Sequence, residues 1–148
     1  MRRLAQFGLA LSLALSAAGG ALAQEVSVDD LAARWTAAYN RASADGIAAI
    51  YSPNAELYVH GDQRLVGRSE IRAYWARDFQ VMNPMTVLTV TDSVVDKEMI
   101  LVHGNYQVLN RITGIPEGHG RFAHIWIRNG DLWFLDRDLW VEPIPAAK

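Results

Sequence analysis

His124 and Asp138 are the two side chains of this sequence best suited to acid–base chemistry. Each lies in an alternating stretch that is typical of a β-strand, and Asn129-Gly130 between the two stretches predicts a tight hairpin. Neighbouring strands would bring the two side chains together. A carboxylate beside an imidazole fixes the ring tautomer and stabilises its cationic form, as a general acid or base requires. The other interpretation is a structural histidine that is bonded to an aspartate or to the backbone.

A metal site is the second chemistry to consider. No HExxH motif or comparable ligand spacing is present, so we predict no functional metal. The chain also has no cysteine, which excludes thiol catalysis and thiolate ligation. Because it has no glycine-rich phosphate loop and no GxSxG elbow either, we predict no cofactor. The possible ligands that this interpretation sets aside are His60, Asp62, His103, His119 and His124.

Aromatic side chains on separate predicted elements are the best candidates for lining a ligand pocket. Aromatic walls with few polar groups suit an apolar or aromatic small molecule. Ordinary core packing is the alternative, so we expect about three or four of the candidates to face a pocket, with Trp35, Tyr39 and Trp126 foremost. The candidates are Trp35, Tyr39, Tyr58, Trp75, Tyr106, Trp126 and Trp140.

The first residues have the three zones of a secretory signal peptide. Arg2 and Arg3 precede an apolar stretch over residues 4–18, and Ala21-Leu22-Ala23 supplies small residues for cleavage. An uncleaved membrane anchor is the alternative, but Gly19-Gly20 interrupts the stretch before the roughly 20 apolar residues that a span needs. We therefore expect cleavage after residue 23 and a periplasmic or secreted protein that is not attached to the membrane.

Size and charge limit the partners of the mature chain. Residues 24–148 are enough for one ordinary domain with a single core. The full sequence has a formal net charge of −2, and loss of Arg2 and Arg3 makes it −4. A mildly acidic domain without basic runs is a poor partner for nucleic acid or an anionic membrane. Small molecules and other proteins are the expected partners.

Helical periodicity predicts three helices in the first half of the chain. The first covers residues 28–44 and is capped by Ser27, and a short second helix covers residues 46–51 and is capped by Asp45. The third begins at a Ser69 cap and ends at Asn83-Pro84.

Alternating patterns predict strands in the remainder of the chain. One early strand covers residues 55–60 and is followed by a turn at residues 61–63. Four longer strands cover residues 85–95, 99–111, 121–128 and 132–141, with a mobile loop at residues 114–120. This order predicts an α+β domain with the helices on one face of a strongly curved, antiparallel sheet. Such a sheet often leaves a blind pocket between its concave face and the helices.

Alternation also predicts which strand residues share a face. If His124 points inward, Phe122 and Trp126 do so too. On the last strand, Asp136 and Asp138 should share a face opposite Leu135. The residues expected to point outward form an apolar face that a homodimer would cover; they are Ala123, Ile125 and Ile127.

Three groups of segments carry a family resemblance. The first is Trp35 and Tyr39 leading into SADGIAAIYSPNA at residues 43–55, and the second is LVGRSEI at residues 65–71 with Trp75. The third is HIWIRNGDLW at residues 124–133 with DLW at residues 138–140. In these the chain resembles the SnoaL-like, ketosteroid-isomerase-like group of the nuclear transport factor 2-like superfamily. The resemblance covers residues 24–148 and implies one domain, with a cone-shaped curved sheet and three N-terminal helices packed on its concave face.

The resemblance does not decide the activity, because this fold serves isomerases, cyclases, hydratases, hydrolases and non-catalytic binders. The ketosteroid isomerases have a tyrosine on the first helix, a carboxylate base on the first strand and a protonated acid on the penultimate strand. Trp35, Val59 and His124 align with these three positions. Because neither Trp35 nor Val59 can transfer a proton, steroid isomerisation by that machinery is not expected.

Two hypotheses about function remain. The first is an exported domain that binds a hydrophobic or aromatic small molecule in an internal, largely apolar pocket. The alternative is a cofactor-free acid–base enzyme of the isomerase, lyase or hydrolase type that uses His124 and Asp138 on a hydrophobic substrate. Loss of the isomerase-type base at Val59 favours binding, whereas the histidine–aspartate pair favours catalysis.

Overall fold

The computed structural model describes residues 26–59, 63–81 and 84–143. The predicted signal peptide and the candidate ligands His60 and Asp62 lie outside these ranges. Within them the chain forms an α+β domain, as predicted. Its elements are α1 (Val28–Asn40), α2 (Ala44–Ala48), β1 (Tyr51–Val59), β2 (Gln63–Val66), α3 (Arg68–Val81), β3 (Pro84–Val95), β4 (Met99–Asn110), β5 (Pro116–Asn129) and β6 (Leu132–Val141).

The strands form one curved sheet in the order β2-β1-β6-β5-β4-β3. All neighbouring pairs are antiparallel except β1 and β6, which run parallel. The expectation of a wholly antiparallel sheet is therefore wrong at this one pairing. Three hairpin reversals separate β3 from β6, so the last strand reaches β1 running in the same direction. Sequence periodicity identifies strands, but it does not say which strand lies beside the first.

The end of α1 differs from the prediction, and so do both ends of α2, which covers Ala44–Ala48 rather than residues 46–51. Helix α1 ends at Asn40 rather than residue 44, because Ala42 adopts a left-handed φ of 50° that the helix cannot include. Helix α2 then begins at Ala44 and is capped by Ser43, whose hydroxyl accepts a hydrogen bond from the Gly46 amide at 3.0 Å. The predicted cap, Asp45, lies inside the helix and pairs with Arg72 of α3.

Of the predicted serine caps of α1 and α3, only the cap of α1 is present. Ser27 caps α1 as expected, accepting from the Asp30 amide at 3.0 Å. Ser69 does not cap α3, because the helix already begins at Arg68. The first hydrogen bond of α3 runs from the Ile71 amide to the carbonyl of Gly67. Gly67 has a φ of 85°, which favours glycine.

Three strand predictions also need correction. Residue 63 of the predicted turn at residues 61–63 is strand instead, because Gln63 begins strand β2, which pairs with β1; residues 61–62 lie outside the described ranges. Strand β1 begins at Tyr51 rather than residue 55. Strand β5 begins at Pro116, so most of the predicted loop at residues 114–120 is strand paired with β4. The long partner strand supplies hydrogen bonds that outweigh the weak strand preference of glycine.

A β-bulge on β6 changes which residues face inward. His124 lies opposite Asp138, but Trp126 lies opposite Leu135, so Asp136 is an extra residue on β6. Leu135 and Asp138 are consequently both fully buried. The prediction that Asp136 shares a face with Asp138, opposite Leu135, is wrong because strict alternation does not hold across a bulge.

Helices α1 and α3 pack over the inner face of the sheet. Asn40 fixes the end of α1 to β3, since its side chain donates to the Thr86 carbonyl at 2.9 Å and accepts from the Thr86 amide at 2.8 Å. Trp35 and Trp126 are the largest fully buried side chains between these layers. Among the residues that the structure describes, no helix is long and apolar enough to cross a bilayer.

Candidate functional site

A cavity of about 530 Å³ lies between the helices and the sheet. This volume falls within the roughly 300–1,000 Å³ that is typical of small-molecule sites. Aromatic rings dominate its wall, and Val59, Thr86 and Val108 fill the spaces between them. The rings belong to Trp35, Tyr39, Tyr74, Trp75, Tyr106 and Trp140.

The aromatic wall is held by contacts between its own rings. Trp35 and Tyr39 are one helical turn apart on α1 and stack with their centroids 4.9 Å apart. Trp75 of α3 meets both edge-on, at 6.1 and 5.3 Å. Trp140 of β6 lies 4.8 Å from Trp35 and 4.9 Å from Tyr106 of β4. Stacked and edge-on pairs of this kind are favourable geometries, so the wall is preorganised.

Five of the seven aromatic candidates line this cavity, and Tyr58 and Trp126 do not. Tyr58 lies opposite Leu139 on β6, and its hydroxyl donates to Glu56. Trp126 is fully buried on β5 beneath Arg34 of α1, whose guanidinium carbon is 5.8 Å from the ring centroid. Alternation along a strand predicts which face of the sheet a side chain is on. It does not predict whether that part of the strand lies at the cavity. Tyr74, which also lines the cavity, was not among the candidates.

A hydrogen bond joins α1 to α3 within the cavity wall. The Tyr39 hydroxyl on α1 donates to Asp78 Oδ2 on α3 at 2.9 Å. Burial, followed by the negative charge of Asp78, raises the pKa of Tyr39. The tyrosine therefore remains a neutral hydrogen-bond donor in the cavity.

His124 and Asp138 lie directly opposite each other on β5 and β6, and both are fully buried. Their closest atoms, Nε2 and Oδ1, are 3.3 Å apart. This is ion-pair distance, but the ring nitrogen does not point at the oxygen as a hydrogen bond requires. Among the residues that the structure describes, neither ring nitrogen has a hydrogen-bond partner, and neither does Oδ1. The pair is adjacent without being directly hydrogen-bonded.

Sequence reasoning also missed Tyr51, which contacts Asp138. Its hydroxyl donates to Asp138 Oδ2 at 2.5 Å and accepts from the Trp75 indole at 3.2 Å, with a longer contact of 3.5 Å to the Trp35 indole. Burial and then the Asp138 charge raise the pKa of Tyr51 well above its usual value. Arg68 holds the Tyr51 backbone by donating to its carbonyl oxygen.

No local signal in the sequence identifies Tyr51 as a partner of Asp138, which is 87 residues away. The parallel pairing of β1 with β6 brings the two side chains together. Trp35 and Trp75 contact Tyr51 with their indole nitrogens and also line the cavity. We call these two indole rings the floor of the cavity, and the polar network lies directly beneath them.

Aromatic rings surround the His124 imidazole. Phe122 is 4.6 Å away between centroids, Trp35 is 5.7 Å away and Trp140 is 5.8 Å away. Trp35 and Trp140 line the cavity, whereas His124 and Asp138 are not part of its wall. In this arrangement the pair can position the floor of the cavity but does not touch its contents.

The remaining candidate metal ligands are dispersed. His103 lies 3.7 Å from Asp92 on the exposed part of the sheet, while His119 is an exposed residue that lines the cavity. Over residues 26–59, 63–81 and 84–143 no three His, Asp or Glu side chains lie close enough together to hold a metal ion. The absence of a functional metal stays a prediction.

A family model of the SnoaL-like domain matches residues 32–142. The chain belongs to the SnoaL-like domain family. The match includes the aromatic cavity, Tyr51, His124 and Asp138, and it confirms the resemblance drawn from the sequence. A search of curated proteins finds no match to this SnoaL-like domain.

Solved structures share the fold of this SnoaL-like domain at low sequence identity. A ketosteroid isomerase-like protein from Erwinia carotovora atroseptica is 17% identical, with a TM-score of 0.66 over 80% of this chain and 95% of its own. An NTF2-like protein with a cystatin-like fold from Novosphingobium aromaticivorans is 16% identical, with a TM-score of 0.68 over 80% of both chains. A domain with a cystatin-like fold from Nostoc punctiforme is 18% identical, with a TM-score of 0.68 over 82% of both. At these identities the similarity shows the fold alone.

The network beneath the floor predicts the effect of removing one hydroxyl. Tyr51→Phe deprives buried Asp138 of its donor and the two indoles of their acceptor, so we expect a loss of about 2–4 kcal/mol in the free energy of unfolding. Urea denaturation measures the change. Tyr58→Phe is the matched control, because it removes a hydroxyl that is not part of this network, and it should cost about 1 kcal/mol or less.

A double mutant tests whether the two groups act together. Combining Tyr51→Phe with Asp138→Leu removes both polar partners, so the double mutant should lose less stability than the sum of the single mutants. Additive losses, or a Tyr51→Phe protein as stable as Tyr58→Phe, would show that the hydrogen bond is unimportant.

Proposed function

We propose that this SnoaL-like domain binds a small, largely apolar molecule in the cavity between its helices and its sheet. The observation that carries the proposal is the convergence of six aromatic side chains from α1, α3, β4 and β6 on one space of about 530 Å³. A ligand there would replace water with ring surface, which is favourable for apolar and aromatic groups.

Rigidity of the wall supports binding. The rings pack on one another, and Tyr51 contacts two of the indoles from beneath. A wall that is ordered before the ligand arrives spends little entropy on ordering during association. Thr86 and the Tyr39–Asp78 pair are among the polar groups of the wall that can orient a bound molecule.

The enzyme hypothesis assigns acid–base chemistry to His124 and Asp138. Both are fully buried, and Trp35 and Trp140 lie between them and the cavity. A proton donor or acceptor must come within about 3.2 Å of the reacting atom, directly or through one water. We therefore assign the pair a positioning role under the binding hypothesis, and catalysis by it would require Trp35 or Trp140 to move.

We further propose that the domain acts outside the cytoplasm, in the periplasm or as a secreted protein. Support comes from Arg2-Arg3, the apolar stretch and Ala21-Leu22-Ala23, all of which lie outside the described residues. Nicotinamide cofactors and ATP are not routinely supplied there. An exported binding domain that works with side chains alone is consistent with the absence of nucleotide motifs from the sequence.

We also propose that two copies associate through the outer face of the sheet. Ala123, Ile125 and Ile127 alternate with the inward residues of β5 and are only part-buried in a single chain. Leu101 on β4 lies beside Ile125, and Leu139 on β6 lies beside Ala123, so the apolar surface continues across three strands. Covering such a surface removes apolar area from water.

Filling the cavity should abolish binding. Gly118 lies on its wall, and an added Cβ would meet Val108 Cβ at 3.9 Å, an ordinary contact, as its nearest described neighbour. We expect Gly118→Phe to reduce the affinity for an apolar aromatic probe by about tenfold or more, because the new ring takes the space of the ligand. Quenching of tryptophan fluorescence measures binding, since Trp35, Trp75 and Trp140 line the cavity.

Gln107→Phe is the control for this experiment, because it adds the same ring at an exposed position of β4. It should bind the probe as the unmodified protein does. Failure of the unmodified protein to bind any apolar probe, or equal binding by both variants, would contradict a ligand site in the cavity.

Mass spectrometry of the expressed full-length chain tests export. Protein recovered from the cell envelope or the medium should begin at Gln24. Ala23→Phe places a bulky residue at the position that the peptidase reads and should leave the chain uncleaved, whereas Leu22→Phe, one residue earlier, should be processed normally. An intact N-terminus on protein that stays in the cytoplasm would refute the proposal.

Analytical ultracentrifugation tests the dimer. We expect the unmodified domain to sediment as a dimer and Ile125→Lys as a monomer, because a charge would be buried in the interface. Val81→Lys adds the same charge at the exposed end of α3 and should remain dimeric. A monomeric unmodified protein would exclude the proposed association.

A further inference from the structure

Three acidic side chains line the cavity. Asp78 comes from α3, Glu117 from the start of β5 and Glu142 from the residue after β6. Among the described residues that line the cavity, none is lysine or arginine, and His119 is the sole basic type. The whole chain has 14 lysines and arginines against 16 acidic residues, so overall composition does not explain this imbalance.

Two of these carboxylates have neutral hydrogen-bond partners. Asp78 accepts from the Tyr39 hydroxyl, and Glu117 accepts from the Asn110 side-chain amide at 2.8 Å. A neutral donor orients a carboxylate without adding a positive charge of its own. What matters for the contents of the cavity is the sign of the charge around it.

The tyrosines of the wall respond to this negative charge. Burial is the main reason for the raised pKa of Tyr106, and Glu142 adds to it. Burial and then Asp78 raise the pKa of Tyr74 to about 12, although the Arg77 charge acts in the opposite direction. Each phenol is harder to ionise mainly because it is buried, and nearby negative charge adds to this effect.

The aromatic wall, like the carboxylates, favours a positively charged ligand. The face of an aromatic ring is electron-rich and attracts cations, most strongly for tryptophan. Trp35, Trp75 and Trp140 all contribute to the wall. The cation–π contact seen in the described part of the protein is that of Arg34 with Trp126, which lies away from the cavity.

We infer that the cavity selects organic cations, in which an amine or quaternary ammonium group is attached to an apolar or aromatic body. The inference rests on the proposed function and names the ligand class of that same site. The aromatic rings bind the body of the ligand, and the ring faces and the carboxylates stabilise its charge. An anion would meet repulsion from both.

A series of three probes of similar shape tests the inference by changing only the charge. Phenyltrimethylammonium is the cation, tert-butylbenzene is its neutral isostere and benzenesulfonate is the anion. We expect the unmodified protein to bind the cation about tenfold more tightly than the neutral probe, and the anion least tightly. Tryptophan fluorescence and calorimetry both report the affinities.

Replacing the carboxylates of Glu117 and Glu142 with neutral amides should reduce the preference for the cation. The double variant Glu117→Gln with Glu142→Gln should weaken binding of phenyltrimethylammonium by about three- to tenfold and leave tert-butylbenzene unaffected. Glu98→Gln makes the same kind of charge change at an exposed position before β4, away from the cavity, and should alter neither affinity. Added salt should weaken binding of the cation alone.

The outcomes separate this inference from the proposed function. Equal affinity for the cation and its neutral isostere, or a preference for the anion, would overturn the cation inference while leaving a ligand site in place. Binding of none of the three probes would overturn both.

Discussion

A carboxylate that is removed from water must be paired or hydrogen-bonded, and Asp138 meets this requirement mainly through Tyr51. The hydrogen bond crosses from β6 to β1 at the one parallel pairing of the sheet. Its donor also contacts the indole nitrogens of Trp35 and Trp75, so one hydroxyl connects the sheet to both major helices. The position of the cavity floor follows from this connection.

The molecule therefore has a polar layer beneath an aromatic one. Tyr51, Asp138 and His124 are enclosed, while Trp35, Trp75 and Trp140 separate them from the cavity. This order explains why a histidine–aspartate pair with the correct residue types for acid–base chemistry does not reach the space where a ligand would lie. Residue type alone suggests catalysis, whereas burial indicates positioning.

The cavity combines surfaces that different parts of the chain supply. The aromatic rings come from α1, α3, β4 and β6, and the carboxylates come from α3, from β5 and from the residue after β6. The packing of the rings keeps this space open and ordered. Under the proposed function, binding depends on the shape of the wall and on the sign of the surrounding charge.

Much of this architecture could be predicted from local sequence. The Ser27 cap, the bounds of β6 and the inward face shared by Phe122, His124 and Trp126 follow from side-chain chemistry and alternation. Five of the seven candidate aromatic residues line the cavity, because an aromatic side chain on the inward face of a helix or strand points into the space between the helices and the sheet. The family, too, was recognisable from short motifs in the right order.

Tertiary structure decided what local patterns do not contain. The parallel approach of β1 to β6 joined Tyr51 to Asp138, and the bulge at Asp136 turned both Leu135 and Asp138 inward. The curvature of the sheet put Trp126 away from the cavity that Trp140 lines. Periodicity is a property of neighbours along the chain, whereas register, bulges and curvature depend on pairing between distant segments. The sequence by itself therefore determined the elements and their apolar faces, and the fold determined which side chains line the cavity.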